Sequence, residues 1–133
     1  LIVVDTNVIA YLWLPNERRA DARALLAIHN RWFAPLLWRF EFRNILAGYL
    51  RRRELSLEQA RAAYDGAAEM LRGGERMPAA KAVLELAAAS DLSAYDCEFV
   101  AVADALGIPL VTADRKILRT FPRIACDLGR LLY

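Results

Sequence analysis

Histidine is almost absent from this chain: His29 is the only one in 133 residues. A Ser–His or Cys–His nucleophile needs such a base, so that route to hydrolysis has no support. Cysteine is scarce too. Cys97 and Cys126 are the only pair, they lack metal-ligand spacing, and with a lone histidine they give no zinc site. They read as two small buried apolar residues in a reducing compartment. The glycines form no phosphate-cradling loop, which excludes nucleotide binding of the P-loop type. The one adjacent pair, Gly73-Gly74, reads as a turn that ends a helix. No apolar run reaches the roughly 18 residues of a membrane span. Asp5 interrupts the first apolar run too early for a secretion signal. A cytoplasmic protein with no membrane contact is expected. Repeats, low-complexity tracts and Ser/Gly-rich linkers are missing as well. The chain opens at Leu1 inside an apolar run, so an initiator methionine is expected to precede it.

What is present is a core-forming chain. It is 57% hydrophobic and 26% charged, with a net charge of +2. That length and balance predict a single domain over residues 1–133. The charge is too small to name a nucleic-acid partner by itself. Strand and helix patterns alternate. A strand is expected at Ile2–Val4, then helices at Asn7–Leu14 and Arg18–His29. Trp32–Pro35 reads as a short strand or extended connection, and Leu36–Arg53 as a long helix. Ser56-Leu57-Glu58-Gln59 has the form of a capping box, heading a helix to about Arg72. Met77-Pro78 reads as an extended stub. Helices follow at Ala79–Ala89 and Ser93–Leu106, the latter stopped by Gly107. Strand Leu110–Thr112, a short helix Arg115–Arg119 and a strand near Arg123–Ala125 finish the chain. This alternation predicts the α/β class, with a mainly parallel sheet covered by helices.

Four carboxylates sit where one element gives way to the next. Asp5 ends the first apolar run and Asp114 ends the run Pro109–Ala113. Glu41 lies inside a nearly all-apolar helix, and Asp96 opens another. Each has a plain structural alternative. Asp5 and Asp114 are good N-caps, and Asp96 could be the reciprocal acid of a box begun by Ser93. Glu41 fits that explanation least well. Its helical neighbours Leu37, Trp38, Asn44 and Ile45 include no cation, and a buried unpaired charge is costly. In open α/β sheets ligands bind at the carboxyl ends of the strands. Acids gathered there resist ionisation unless a cation offsets them. Hard oxygen donors of this kind suit Mg²⁺ or Mn²⁺. A metal-dependent enzyme follows.

These motifs resemble the PIN domain, and among PIN proteins the VapC-type toxin ribonucleases of toxin–antitoxin pairs. The matching pieces are Val3-Val4-Asp5-Thr6-Asn7, Phe40-Glu41-Phe42-Arg43-Asn44, Tyr95-Asp96 before an apolar helix, and Leu110-Val111-Thr112-Ala113-Asp114-Arg115-Lys116. They run in order along nearly the whole chain. The resemblance implies a three-layer α/β/α fold. It implies that Asp5, Glu41, Asp96 and Asp114 hold Mg²⁺ or Mn²⁺ and catalyse phosphodiester hydrolysis in RNA. Thr6, Asn7, Asn44 and Thr112 match supporting polar positions, and Arg115 and Lys116 could approach a phosphate. It also implies a translation-inhibiting toxin, a cognate VapB-like antitoxin and a homodimer.

Basic residues at the rim would draw RNA toward so acidic a pocket; Arg39, Arg43, Arg51–Arg53, Arg72, Arg76 and Arg119 are further candidates. The helix after Leu36 is apolar on more than one side, which predicts an exposed patch as well as core. Other readings are another Mg²⁺-dependent phosphohydrolase or a non-catalytic binding module. A haloacid-dehalogenase-type phosphatase would need an acid where Asn7 stands, and a response-regulator receiver would give Glu41 no role.

Overall fold

The computed structural model describes residues 1–132. Ile2-Val3-Val4 is β-branched and wholly buried, as suits a strand covered on both faces. It forms the central strand β1 (Ile2–Val4). β2 (Trp32–Pro35) and β3 (Glu75–Arg76) lie to one side, and β4 (Leu110–Val111) and β5 (Ala125–Cys126) to the other. The order is β3-β2-β1-β4-β5 and every pairing is parallel. Val3 sits opposite Phe33 on one flank and Leu110 on the other.

The helices are α1 (Thr6–Trp13), α2 (Arg19–Ile28), α3 (Leu37–Arg51), α4 (Leu57–Met70), α5 (Ala80–Ala88), α6 (Ala94–Leu106) and α7 (Arg115–Thr120). They cover both faces. On one face Ile2 and Val4 pack with Ile9, Leu25, Trp38, Phe42 and Leu71 from α1 to α4 and the turn after it. On the other, Val3 packs with Phe33, Phe99, Val100, Leu110 and Ile117, against α5 to α7. Alternate residues of β1 therefore feed opposite cores. The result is the expected three-layer α/β/α arrangement.

The chain winds outward from β1 through β2 to β3, then returns to β4 on β1's other flank. The order reverses between β1 and β4, and a crevice opens at such a switch point, outside the carboxyl ends of the strands. Asp5 follows β1 and Asp114 closely follows β4.

Several expected boundaries move. The stub at Met77-Pro78 is a strand two residues earlier, because the β2 ladder is made by Ala34 N–H to the Gly74 carbonyl and Leu36 N–H to the Arg76 carbonyl. Gly74 is required there: a Cβ would meet the Trp32 carbonyl oxygen at 2.2 Å. The last strand lies at Ala125–Cys126, where Thr112 N–H donates to the Cys126 carbonyl. A short 3-10 helix, Leu128–Leu131, was not expected; Asp127 caps it. The capping box at Ser56 makes both of its bonds. Gly107 closes α6 in the left-handed region at φ 66°.

Candidate active site

Asp5, Thr6, Asn7, Glu41, Asn44, Ile45, Asp96 and Asp114 line one cleft of about 270 Å³ at the switch point. All four acids of the sequence reading meet there. They arrive from α1's N-cap, the middle of α3, the first turn of α6 and α7's N-cap.

Capping a helix and facing the cleft are compatible for these acids. Asp5 caps α1 and Asp114 caps α7, yet both face the cleft. Asp5 Oδ1 accepts the Thr6 N–H at 2.7 Å, and its Oδ2 accepts the Thr112 hydroxyl at 2.6 Å. Asp114 caps with Oδ1 alone, which takes the N–H groups of Lys116 and Ile117. Its Oδ2 has no partner among the described residues. Glu41 Oε1 accepts the Thr6 hydroxyl at 2.7 Å. Ser93 Oγ accepts the Asp96 N–H at 3.1 Å. The reciprocal bond from the Asp96 carboxylate to Ser93 N–H is not made, so no capping box uses that acid.

Two buried threonines hold this frame. Thr6 joins α1 to Glu41 on α3. Thr112 donates to Asp5 and accepts the Asp114 N–H at 3.0 Å, so one hydroxyl ties the ends of β1 and β4 together. Both side chains are almost fully enclosed, which fixes their rotamers and so the carboxylates they touch.

Among the described residues no cation forms an ion pair with these acids. Burial pushes the Asp5 carboxyl up, and Asp96 and Asp114 push it further, against the two hydrogen bonds that hold it down. Burial also raises Glu41, with Asp5 and Asp96 adding to it and the Thr6 hydroxyl opposing. Asp96 rises through burial and Asp114, while the Ser93 hydroxyl and the more distant Lys116 charge lower it.

The donor set is all oxygen, as hard ions require. Among the described residues no three acidic, His or Cys side chains close into a ready-made cage. Mg²⁺ commonly keeps several waters and binds through one or two carboxylates. An open cleft with uncommitted oxygens on Glu41 and Asp114 fits such a hydrated ion.

The predicted rim cations divide. Arg39 is spent elsewhere, its Nη2 donating to Glu75 Oε1 at 2.6 Å. Arg43 stacks over the rings of Phe40 and Tyr64. Arg76 donates to the Gly73 carbonyl and lies over Phe33. The Lys116 ammonium donates to the Asp91 carbonyl at 2.8 Å. Arg115, exposed beside Asp114, has no hydrogen-bond or ion-pair partner among the described residues. Sequence reasoning missed Ile45 as an apolar wall of the cleft, although it stands one turn after Glu41 and shares its face.

The PIN domain family model matches residues 2–123. The chain belongs to the PIN domain family. Within it, the chain is similar to Ribonuclease VapC3 of Pyrobaculum aerophilum, 28% identical over 126 residues that span 92% of this chain and 96% of that protein. Its fold is that of PAE2754 from the same organism, with a TM-score of 0.78 and 21% identity over 98% of this chain and 85% of that one. FitAcB from Neisseria gonorrhoeae superposes with a TM-score of 0.72 at 17% identity, covering 97% and 99% of the two chains. FitAB, solved bound to a DNA fragment, gives 0.70 at 16% identity, covering 96% and 95%. The PIN assignment and the three-layer fold read from the sequence therefore stand.

Proposed function

We propose that this protein is a divalent-metal-dependent endoribonuclease of the VapC type. The observation that carries the reading is the cation-poor group of four acids at the sheet's switch point. Three of them are held above their ordinary pKa by burial and by one another. That arrangement is unfavourable alone and favourable around a cation. The similarity to Ribonuclease VapC3 supports RNA as the substrate.

Asp5, Glu41, Asp96 and Asp114 would hold Mg²⁺ or Mn²⁺. The bound ion supplies a water of lowered pKa and offsets the charge that develops on the phosphate. The chain's own residues set the geometry. Thr6 keeps Glu41 turned into the cleft, and Thr112 keeps Asp5 and Asp114 in register. The amides of Asn7 and Asn44 offer donors and acceptors at the wall. Ile45 keeps one side dry, which strengthens the charge interactions inside. Arg115, exposed beside Asp114, is a cation available to a substrate phosphate. Lys116 would reach one only by leaving the Asp91 carbonyl.

RNA as substrate implies action in the cytoplasm, and the VapC likeness extends the proposal to inhibition of translation. It also brings two protein partners, a cognate antitoxin and a second copy of the chain. Supporting them is an apolar groove of about 330 Å³ between α3 and α4, lined by Leu46, Leu50, Leu57 and Tyr64 with Arg43 and Arg61. Phe40 and Leu57 are exposed on the same helix pair.

The test is cleavage of total RNA by purified protein in Mg²⁺, in Mn²⁺ and in EDTA. Discrete cuts that need metal and vanish in Asp5→Asn are expected. Release of phosphate from small esters without RNA cutting would favour another phosphohydrolase instead. No reaction at all from folded, metal-loaded protein would favour a binding module.

A further inference from the structure

A second hollow lies beside the acidic cleft on the same edge of the sheet. All five strands are parallel, so Met77 and Pro78 leave β3 at the carboxyl edge that also carries Asp5 and Asp114. They meet Val83 and Leu84 of α5 and Tyr95 and Glu98 of α6 around a slot of about 320 Å³. Tyr95 presents an exposed ring, and Met77 and Leu84 are exposed with it. Glu98 is half-buried in this apolar setting. It has no hydrogen-bond or ion-pair partner among the described residues.

Tyr95 and Glu98 stand three residues apart and share one face of α6. Asp96, between them in sequence, faces the acidic cleft instead. The first turn of α6 thus carries both sites on opposite sides, separated by about one helix diameter, roughly 10 Å. The crossing between them favours anions. The N–H groups of Ala94 and Tyr95 at the helix start have no partner among the described residues, and the Lys116 ammonium is held on the carbonyl of Asp91, which precedes that helix start in sequence.

Resting on the ribonuclease reading, we propose that this slot binds one unpaired base of the RNA, close to the phosphate that is cut, and that Tyr95 and Glu98 select it. The phenol ring gives a stacking face, the usual platform for a splayed-out base. Glu98 adds a direction. An ionised carboxylate only accepts hydrogen bonds, so it fits a base edge that offers adjacent donors. Guanine offers its ring N–H beside its exocyclic amine. Adenine, cytosine and uracil each set an acceptor beside their donor there. Guanine is therefore the base that Tyr95 and Glu98 prefer. Charge complementarity favours RNA over a protein surface at this place. A purely apolar partner would strip water from Glu98 and return no donor, whereas a guanine edge pairs it and the phosphate crosses at the positive end of α6.

The experiment uses short single-stranded RNAs built on a site that the wild-type protein cuts in Mg²⁺, with each flanking nucleotide changed in turn to G, A, C or U. Expected is a preference for guanine at one fixed position, carried by KM. Tyr95→Ala raises KM about tenfold, the size of one lost stacking contact, and Tyr95→Phe restores it. Glu98→Gln removes most of the guanine preference. Thermal melts of each variant check folding, and Tyr95→Phe keeps the test open should the alanine variant unfold. The proposal is overturned if wild type and Glu98→Gln show the same base preference, or if Tyr95→Ala leaves KM unchanged. It is overturned in favour of a second copy of this chain if the variants keep the preference but change the mass measured by light scattering. If wild type cuts no RNA in metal, the ribonuclease reading fails first and the base site falls with it.

Discussion

Two groups of half-buried carboxylates sit on this sheet, and they behave in opposite ways. At its edge, Glu75 on β3 takes a forked pair of bonds from Arg39 and a third, at 2.8 Å, from the indole N–H of Trp38. The Arg39 fork holds its carboxyl below the usual range, against the effect of burial. At the switch point, Asp5, Glu41 and Asp96 are likewise withdrawn from water, and their pKa values move up. The difference lies in the partners. Glu75 has a guanidinium, and the switch-point acids have hydroxyls, amides and each other. A paired acid is a structural part, and it ties the start of α3, which has no side-chain cap, to the edge strand. A group of unpaired acids is unfinished electrostatically, which is the ground for proposing a cation there.

The sharpest way to separate the two is to remove one acid from each. Asp5→Asn takes out the carboxylate that accepts the Thr6 amide N–H and the Thr112 hydroxyl, and lowers RNA cutting by more than the roughly 100-fold typical of losing a supporting partner. A cleavage assay at saturating Mg²⁺ reads it. Thr6→Val keeps the shape but removes the hydroxyl that holds Glu41, and lowers cutting by about 10- to 100-fold. Raising the Mg²⁺ concentration recovers part of that loss. Glu75→Gln acts on the other group. It weakens the Arg39 fork and lowers unfolding stability by about 1–3 kcal/mol, read by urea denaturation, while Mn²⁺ still binds.

The smallest effect is the dependence on pH, and its sign differs between the groups. Asp5, Glu41 and Asp96 have raised pKa values in the metal-free fold, so the folded state holds protons that the unfolded state has lost. In EDTA their contribution falls as pH rises through those raised values, and it recovers on acidification toward the ordinary carboxyl values of 3.8 and 4.5. Glu75 works the other way: its contribution is full above the ordinary glutamate value of 4.5 and is lost as pH falls through its lowered one. Denaturation midpoints should rise for wild type as pH is lowered toward the ordinary carboxylate range. Adding Mg²⁺ should flatten that rise, and Asp5→Asn should reduce it. Glu75→Gln should leave it in place and alter only the more acidic limb.

Much of the site was legible because local chemistry marks it. Asp5 and Asp114 terminate buried apolar runs, and Glu41 interrupts an apolar helix stripe with no cation in reach. Those patterns survive without knowledge of the fold. What the sequence hid is long-range pairing. Thr6 and Thr112 could be named as supporting residues, but nothing local says that Thr6 serves Glu41 or that Thr112 serves Asp5, 107 residues away in sequence. The partners of Arg39 and Lys116 were hidden for the same reason, since Glu75 and the Asp91 carbonyl are distant in sequence. The strand at Glu75–Arg76 was misplaced because two residues carry no periodic signal. Its position is set by the Gly74 and Arg76 carbonyls meeting β2.

The central claim is that the unpaired acids form a cation site and the paired acid does not contribute to it. Calorimetric titration with Mn²⁺ of the wild type, Asp5→Asn and Glu75→Gln, each checked for folding, tests it most directly. Binding in wild type and Glu75→Gln, with loss in Asp5→Asn, is the predicted result. Equal binding in wild type and Asp5→Asn, or none in folded wild type, would contradict it.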